Sequence, residues 1–192
     1  MNESPVGRSS RKTLIIIIIA IIGVTAVLTY WFLSMPSRYP WLFKGAYADY
    51  QGETVALFIP VKAKIHMEVL DFNKTHVQLF IHTKIESIIT NETDKIGWVK
   101  LEDMEKGKIP LWEGDYSPSR TYEEQLYIEN IGLRDCTVYE YTNNGTIRYY
   151  IDKETAWIIS IRIISTGTSF NSTMTLNLNI DLTKTNIPQL KG

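Results

Sequence analysis

The sequence predicts a single N-terminal transmembrane helix followed by a mainly β domain, arranged as a curved antiparallel sheet or half-open barrel of about seven to nine strands. Three observations support this fold class. Residues 13–35 are uncharged and rich in isoleucine, the chain after Gly45 mostly alternates apolar and polar residues, and turn-forming residues separate the alternating runs. Around residues 102–127 the alternation stops, so a short helix or irregular segment is expected there.

The uncharged segment 13–35 is long enough to cross a bilayer. At about 1.5 Å of rise per residue, its 23 residues cover roughly 34 Å, slightly more than the ~30 Å hydrocarbon core. A cleaved signal peptide is the main alternative, because it also places basic residues before an apolar run. The run exceeds the usual ~7 to 15 residues and no small-residue cleavage site follows it, which favours a retained span.

The charges before the span predict its orientation. Arg8, Arg11 and Lys12 precede it against one acidic residue, Glu3. Because basic residues beside a first span favour retention in the cytoplasm, the N-terminus is expected inside and the C-terminal part outside. Aromatic residues at the far end match the belt at a membrane–water interface: Tyr30, Trp31, Phe32 and Trp41.

Four parts follow from this pattern. They are a cytoplasmic tail (1–12), a transmembrane helix (13–35), a juxtamembrane linker (36–44) and an extracytoplasmic β-rich domain (45–192). The predicted location is the cell membrane, with a single pass and the lipid bilayer as partner of residues 13–35. The 157 residues from Pro36 onward are enough for one domain with its own core.

The first half of the β domain predicts long strands. Ala63, Ile65 and Met67 alternate with charged residues, which indicates one apolar face. A strand over 53–72 would be long for a single element, and Pro60 is the natural place for a bulge because proline cannot donate to a ladder. Strands are predicted over 53–72, 75–89 and 96–101, with turns at 72–75 and 90–94.

The same patterns predict the elements in the middle and in the second half of the β domain. Prolines and glycines interrupt residues 102–127, and 119–126 is at best a short helix capped by Ser119. Asn144-Gly145 lies between two alternating runs and predicts a tight hairpin, since both residues tolerate positive φ. Strands are predicted over 136–141, 146–151, 157–164 and 174–182, with turns at 143–145 and 152–155.

Composition excludes some classes of function. From Pro36 onward the chain carries 20 acidic and 17 basic residues, so it has no nucleic-acid surface. Cys136 is the single cysteine, which rules out an internal disulfide. Its strand-like setting favours a buried inert thiol over one that pairs between chains.

Four Asn-x-Ser/Thr sequons lie beyond the span, where an extracytoplasmic domain would carry glycans. Three fall in predicted turns and the fourth in the loop before the last strand, positions that tolerate a bulky sugar. A fifth match, at Asn2, is on the predicted cytoplasmic side and should stay unmodified. The predicted glycosylation sites are Asn73, Asn91, Asn144 and Asn171.

Other candidate sites are weaker. If Phe72 pairs with His76, then His66 faces His82 on the polar side of a hairpin, close enough to share a metal ion, although two imidazoles alone do not make a site. A tyrosine cluster could line a ligand surface or simply pack across strands: Tyr139, Tyr141, Tyr149 and Tyr150. Because no catalytic or phosphate-binding motif occurs, no catalytic residue, cofactor or metal is predicted.

Two passages carry a resemblance to known families. WLFKGAYADY (41–50) and YYIDKETAWI (149–158) resemble sequences of membrane-anchored archaeal surface proteins of unknown function. The second is also similar to the strand, Asp-x-x-Thr-Gly turn, strand of the lipoprotein-localisation carrier (LolA-like) half-barrel superfamily, although Ala156 replaces the usual glycine and no lipidation cysteine is present. That resemblance implies a curved, half-open barrel whose concave face holds an acyl chain.

These observations predict a membrane-anchored extracytoplasmic binding or cell-envelope protein. Its curved sheet is expected to hold an apolar ligand or to present a face to another envelope protein. A pilin-like structural subunit is the alternative, although the span ends at Pro36 where a pilin helix would continue. An enzyme without a recognisable motif is a third possibility.

Overall fold

The computed structural model describes residues 38–56, 58–109, 117–143, 145–169 and 172–191, with backbone alone in 167–169 and 172–174. Residues Arg38–Gly192 form one compact unit. Among the described residues, no helix combines the length and the apolar character needed to traverse a bilayer. The span predicted at 13–35 lies outside the described residues.

The unit is mainly β, as predicted. Its strands are β1 (Tyr47–Ala56), β2 (Ile59–Phe72), β3 (His76–Glu86), β4 (Thr90–Lys100), β5 (Arg120–Ile128), β6 (Gly132–Thr142), β7 (Thr146–Asp152), β8 (Ile158–Ser169) and β9 (Ser172–Thr185). One short helix, α1 (Leu101–Met104), follows β4, and a 3-10 turn (Pro188–Leu190) lies near the C-terminus.

The nine strands form a single open antiparallel sheet in the order β4-β3-β2-β1-β9-β8-β7-β6-β5. Two meanders, β1 to β4 and β5 to β9, join where β1 pairs with β9. Strands β4 and β5 are therefore the two edges. The chain between them leaves one edge of the sheet and returns at the other.

One face of the sheet carries most of the core, as the alternation predicted. We call it the core face and define it by Tyr50, Ile65, Leu79, Ile161 and Tyr149, each of which is buried. The register places Tyr50 beside Ile65 and Tyr149 beside Ile161. On the opposite face, charged residues of β2 and β3 are solvated, whereas Cys136 and Val138 of β6 are buried.

Residues 38–44 pack with this unit. Trp41 has no exposed surface, meets Trp157 edge-to-face at 4.8 Å, and donates its indole N–H to the Thr155 carbonyl at 2.8 Å. Trp157 donates in turn to the Tyr50 hydroxyl, which donates to the Ile158 carbonyl. Trp41, expected in the aromatic belt, is thus a core residue and is not available to lipid headgroups.

Two turns differ from the sequence prediction. Residues 53–72 do not form one strand with a bulge at Pro60, because Ala56 pairs with Ile59 and the chain reverses at 57–58. The turn predicted at 90–94 is wrong as well: Glu86 pairs with Thr90, which places the turn at 87–89. Both turns carry large apolar residues, Phe58 in one and Ile88 and Ile89 in the other, so the usual turn composition was missing.

The prediction of a short helix at 119–126 is wrong. Residues Arg120–Ile128 form β5 and pair along their whole length with β6. Tyr122 and Leu126 are four residues apart, a spacing that places them on one face in either a helix or a strand. Pairing with β6 decided the outcome, and the helix in this region is α1 instead.

Candidate functional site

The core face has a packed half and a partly open half. Large side chains fill the half near Trp41, where Tyr50, Met67 and Leu79 have no exposed surface. Towards the β1–β2 and β3–β4 turns the same face carries smaller or incompletely covered residues. They are Thr54, Val61, Thr83, Ile147 and Ile163, all half-buried. An apolar surface that the chain only partly covers is the strongest candidate for ligand binding.

One polar atom on the core face, the Thr83 hydroxyl, is buried without a hydrogen-bond partner among the described residues. Thr83 lies opposite Ile65 in the ladder, so its side chain projects from the core face. A buried hydroxyl without a partner is unusual in a folded protein, and a bound molecule with a polar group could satisfy it.

The predicted tyrosine cluster is divided between the two faces. Tyr139 pairs with Tyr149 across β6 and β7, and Tyr141 meets Tyr149 edge-to-face at 5.8 Å, so these three share the core face. Tyr150 lies on the opposite face, where its hydroxyl accepts a hydrogen bond from Arg162 at 3.0 Å. Three of the four tyrosines therefore lie on the core face.

The segment after β4 covers part of the core face. Tyr141 donates its hydroxyl to the Lys106 carbonyl at 2.6 Å, and Gly107 lies against the ring of Tyr149. Burial, followed by the nearby Tyr139 and Asp103, raises the pKa of Tyr141 to about 12. This cover extends from α1 to Ile109 and joins the β4 edge to β6 and β7. Sequence periodicity could not predict this contact, because it joins residues far apart in the chain.

The start of the described chain is attached to the same cover. Arg38 forms an ion pair with Glu105 at 2.8 Å, and the Tyr39 hydroxyl also donates to Glu105. Burial, followed by this hydrogen bond, raises the pKa of Tyr39 to about 12. The cover is thus fixed both to the sheet and to the first described residues.

A surface cleft of about 440 Å³ lies where β4 runs into α1. Most of its lining is polar or charged: Tyr39, Lys74, Thr75, His76, Lys100, Leu101 and Glu102. Because it lies at one end of the sheet, beside α1, and not on the partly open half of the core face, this cleft is not the apolar hollow expected for a carrier.

His66 and His82 lie opposite each other, as predicted. The register near the turn of their hairpin differs from the predicted one. His66 pairs with His82 across β2 and β3, while Phe72 pairs with Val77 and not with His76. A bulge between Val69 and Asp71 absorbs the one-residue difference.

Each of these histidines is bonded to its own carboxylate. Nδ1 of His66 lies 2.6 Å from Asp49, and Nδ1 of His82 lies 2.6 Å from Asp94. No cluster of three or more metal-ligating side chains occurs in the part of the chain that the structure describes. The arrangement is two imidazole–carboxylate pairs on a solvated face.

Cys136 is buried in β6, as its strand-like setting predicted. Burial, followed by the nearby carboxylates of Asp152, Asp135 and Glu124, raises the pKa of this thiol to about 12. A thiol with so high a pKa holds almost no thiolate at neutral pH, which is the form that reacts.

Two of the four sequons lie in the described residues. Asn73 is exposed in the β2–β3 turn, where its Oδ1 accepts hydrogen bonds from the Thr75 and His76 amides, both at 2.9 Å. Asn91 is exposed as well, but it lies in β4 and not in a turn. Asn144 and Asn171 fall outside the described residues.

Comparison with protein-family models, with curated proteins and with solved structures finds no match to this chain.

Proposed function

We propose that this chain is a single-pass, membrane-anchored extracytoplasmic protein whose β domain holds an apolar ligand on a curved, half-open sheet. The observation that carries the proposal is the partly open half of the core face, where apolar residues such as Ile147 and Ile163 are incompletely covered. The bilayer anchors residues 13–35, and no nucleic acid, metal or cofactor takes part.

The reach of the cover segment supports a curved sheet. In a flat sheet β4 and β6 would be seven strand positions apart, about 34 Å at ~4.8 Å per step. Lys106 is six residues beyond the end of β4, and six extended residues span at most about 21 Å. The hydrogen bond between the Lys106 carbonyl and Tyr141 of β6 therefore supports a sheet that curls towards the cover.

The chemistry of the core face supports an apolar ligand. Its partly open half is lined by aliphatic and small side chains, the lining typical of pockets for apolar molecules. The unpartnered Thr83 hydroxyl would hold a single polar group of that ligand. An acyl chain with one polar end fits this combination.

The orientation rests on the sequence. Arg8, Arg11 and Lys12 favour a cytoplasmic N-terminus, and the exposed sequons Asn73 and Asn91 suit an extracytoplasmic domain. The predicted glycoprotein and envelope character depends on this orientation.

Photo-labelling tests the ligand. The full chain in nanodiscs is irradiated with a fatty acid that carries a diazirine near its methyl end, and adducts are mapped by mass spectrometry. Adducts are expected on core-face residues such as Ile147 and Ile163, and Ile147→Trp should reduce them about tenfold by covering the surface that the ligand would contact. Phe80→Trp, on the opposite face of β3, is the matched control and should leave labelling unchanged.

The proposal fails if adducts fall equally on both faces, or if Ile147→Trp leaves them unchanged while the unfolding midpoint is preserved. A core face that takes no label would favour the alternative, a structural subunit of a surface assembly.

A further inference from the structure

The β1–β2 turn lacks the residues that usually form a tight hairpin. Phe58 lies in this turn, between the paired residues Ala56 and Ile59. Phe58 has a φ of +64°, and its side chain is 98% exposed. Two-residue hairpins favour asparagine and glycine there, because a Cβ is unfavourable at positive φ. A large apolar residue in this position serves neither the turn nor the core.

The β3–β4 turn repeats this pattern. Its residues are Ser87, Ile88 and Ile89, and the two isoleucines are 78% and 77% exposed. Ser87 closes the turn by donating its hydroxyl to the Ile89 carbonyl at 3.1 Å. Exposed β-branched residues are unusual in a turn, as is an exposed phenylalanine such as Phe58.

Both turns lie at the same end of the sheet. The β2–β3 ladder reaches its last pair, Lys62 with Glu86, just short of the two turns. The first described residue, Arg38, is bound to Glu105 beyond the opposite end of β4. The exposed apolar residues at the turn end form what we call the tip surface: Val55, Phe58, Ile85, Ile88 and Ile89.

We propose that the tip surface inserts into a lipid bilayer. Its five side chains expose on the order of 500 Å², given that a large aromatic side chain presents roughly 150–250 Å². A stable protein–protein interface needs about 800 Å² on each partner, so the area favours shallow insertion over a protein partner. The two apolar turns are also narrow, and this shape fits the fluid hydrocarbon of a bilayer better than the rigid surface of a protein.

The charged residues next to the tip surface predict which type of membrane it enters. Lys62 is paired with Glu53, and Lys84 with both Glu86 and Glu92. Because these lysines are neutralised, insertion should depend on the apolar tips and little on anionic lipid. The tips can enter the membrane that holds the chain or a second membrane, and both offer the same hydrocarbon. The proposal does not require the core face to hold a ligand.

Depth-dependent quenching tests the proposal. Ser87→Cys in the full chain is labelled with an environment-sensitive fluorophore, which the buried Cys136 should not take, and the protein is reconstituted in phosphatidylcholine vesicles. Spin-labelled quencher lipid is placed in the same vesicles in one arm and in added protein-free vesicles in the other. Quenching at least threefold above that of a probe at Lys74→Cys is expected in one arm.

Variants of the tips make the test specific. Adding Phe58→Ser with Ile88→Ser should bring quenching down to the Lys74→Cys level. Ile96→Ser, which changes an exposed isoleucine of β4 away from the tip surface, should not. Replacing a third of the lipid with phosphatidylglycerol should change quenching by less than twofold.

The proposal is wrong if neither arm quenches, or if the tip variants quench as strongly as the parent. It is also wrong if energy transfer between labelled copies shows the tips meeting each other while lipid quenching is absent. None of these results depends on ligand labelling of the core face, so the two proposals fail separately.

Discussion

At the residue scale, Ala156 carries a backbone conformation that suits glycine. Its φ is +54°, and it closes the turn in which Asp152 accepts hydrogen bonds from the Thr155 amide and hydroxyl at 2.8 and 2.7 Å. The amide of Ala156 also donates to the Asp152 carbonyl at 2.8 Å. Glycine adopts positive φ without the steric cost of a Cβ, so Ala156 occupies a position that glycine would fill with less strain.

Ala156→Gly should therefore stabilise the domain. A left-handed conformation costs an L-residue about 1–2 kcal/mol, and glycine loses about 0.5–1 kcal/mol through its freer unfolded chain. The expected gain in unfolding free energy is about 0.5–1 kcal/mol, measured by urea denaturation. Ala63→Gly, in the interior of β2, is the control and should destabilise; a loss of stability in both variants would contradict the argument.

Cys136 should be inert in the folded protein. Because burial raises the pKa of its thiol to about 12, iodoacetamide at pH 8 should alkylate it only after unfolding. The pKa of the Cys136 thiol is higher in the folded state than in the unfolded state. Ionisation of the thiol therefore favours unfolding as pH rises between about 9 and 12. Cys136→Ala should weaken the fall in stability over that window; alkylation at the rate of a free thiol would contradict the burial.

At the element scale, the cover from α1 to Ile109 depends on one close approach. A Cβ on Gly107 would lie 2.6 Å from the Tyr149 ring, and the residue has a φ of +72°. Gly107→Ala should destabilise the domain by about 2–4 kcal/mol, the sum of backbone strain and overpacking.

Gly45→Ala is the matched control. Gly45 has a similar φ, +78°, but nothing lies within 4 Å of its added Cβ, so strain alone should cost about 1–2 kcal/mol. Urea unfolding measures both variants, and hydrogen exchange of the 101–109 amides reports the cover directly. Equal losses in the two variants would mean that the cover does not press on Tyr149.

At the scale of the whole molecule, lysine labelling tests the orientation. A membrane-impermeant amine reagent added to intact cells should modify Lys62, whose side chain is 57% exposed, and leave Lys12 unmodified. After lysis both should react. Labelling of Lys12 in intact cells, with Lys62 protected, would reverse the predicted topology.

Glycan mass tests the compartment independently. Protein from its native membranes should exceed the 22.1 kDa of the polypeptide, and Asn73→Gln should remove one glycan mass. Thr75→Ser keeps the sequon and should keep the glycan, which separates modification from any effect of altering the turn. Native protein at the polypeptide mass would remove glycosylation from the proposal.

The sequence predicted those parts of the fold that local chemistry controls. Alternation gave the apolar faces of β2, β3 and β9, and the residues at 143–145 and 152–155 marked two hairpins. The failures were the turns at 57–58 and 87–89 and strand β5. Leu57 and Phe58 lack turn chemistry, and the spacing of Tyr122 and Leu126 fits two periods equally well.

The sequence by itself determined the apolar segment 13–35, the period of the strands and the sequons, because each depends only on neighbouring residues. Tertiary structure decided the pairing of β1 with β9, the cover on the core face and the meeting of apolar turns at one end. These join residues far apart in the chain, such as Lys106 with Tyr141 and Trp41 with Thr155. Local periodicity holds no information about such pairs, since only the folded sheet brings them together.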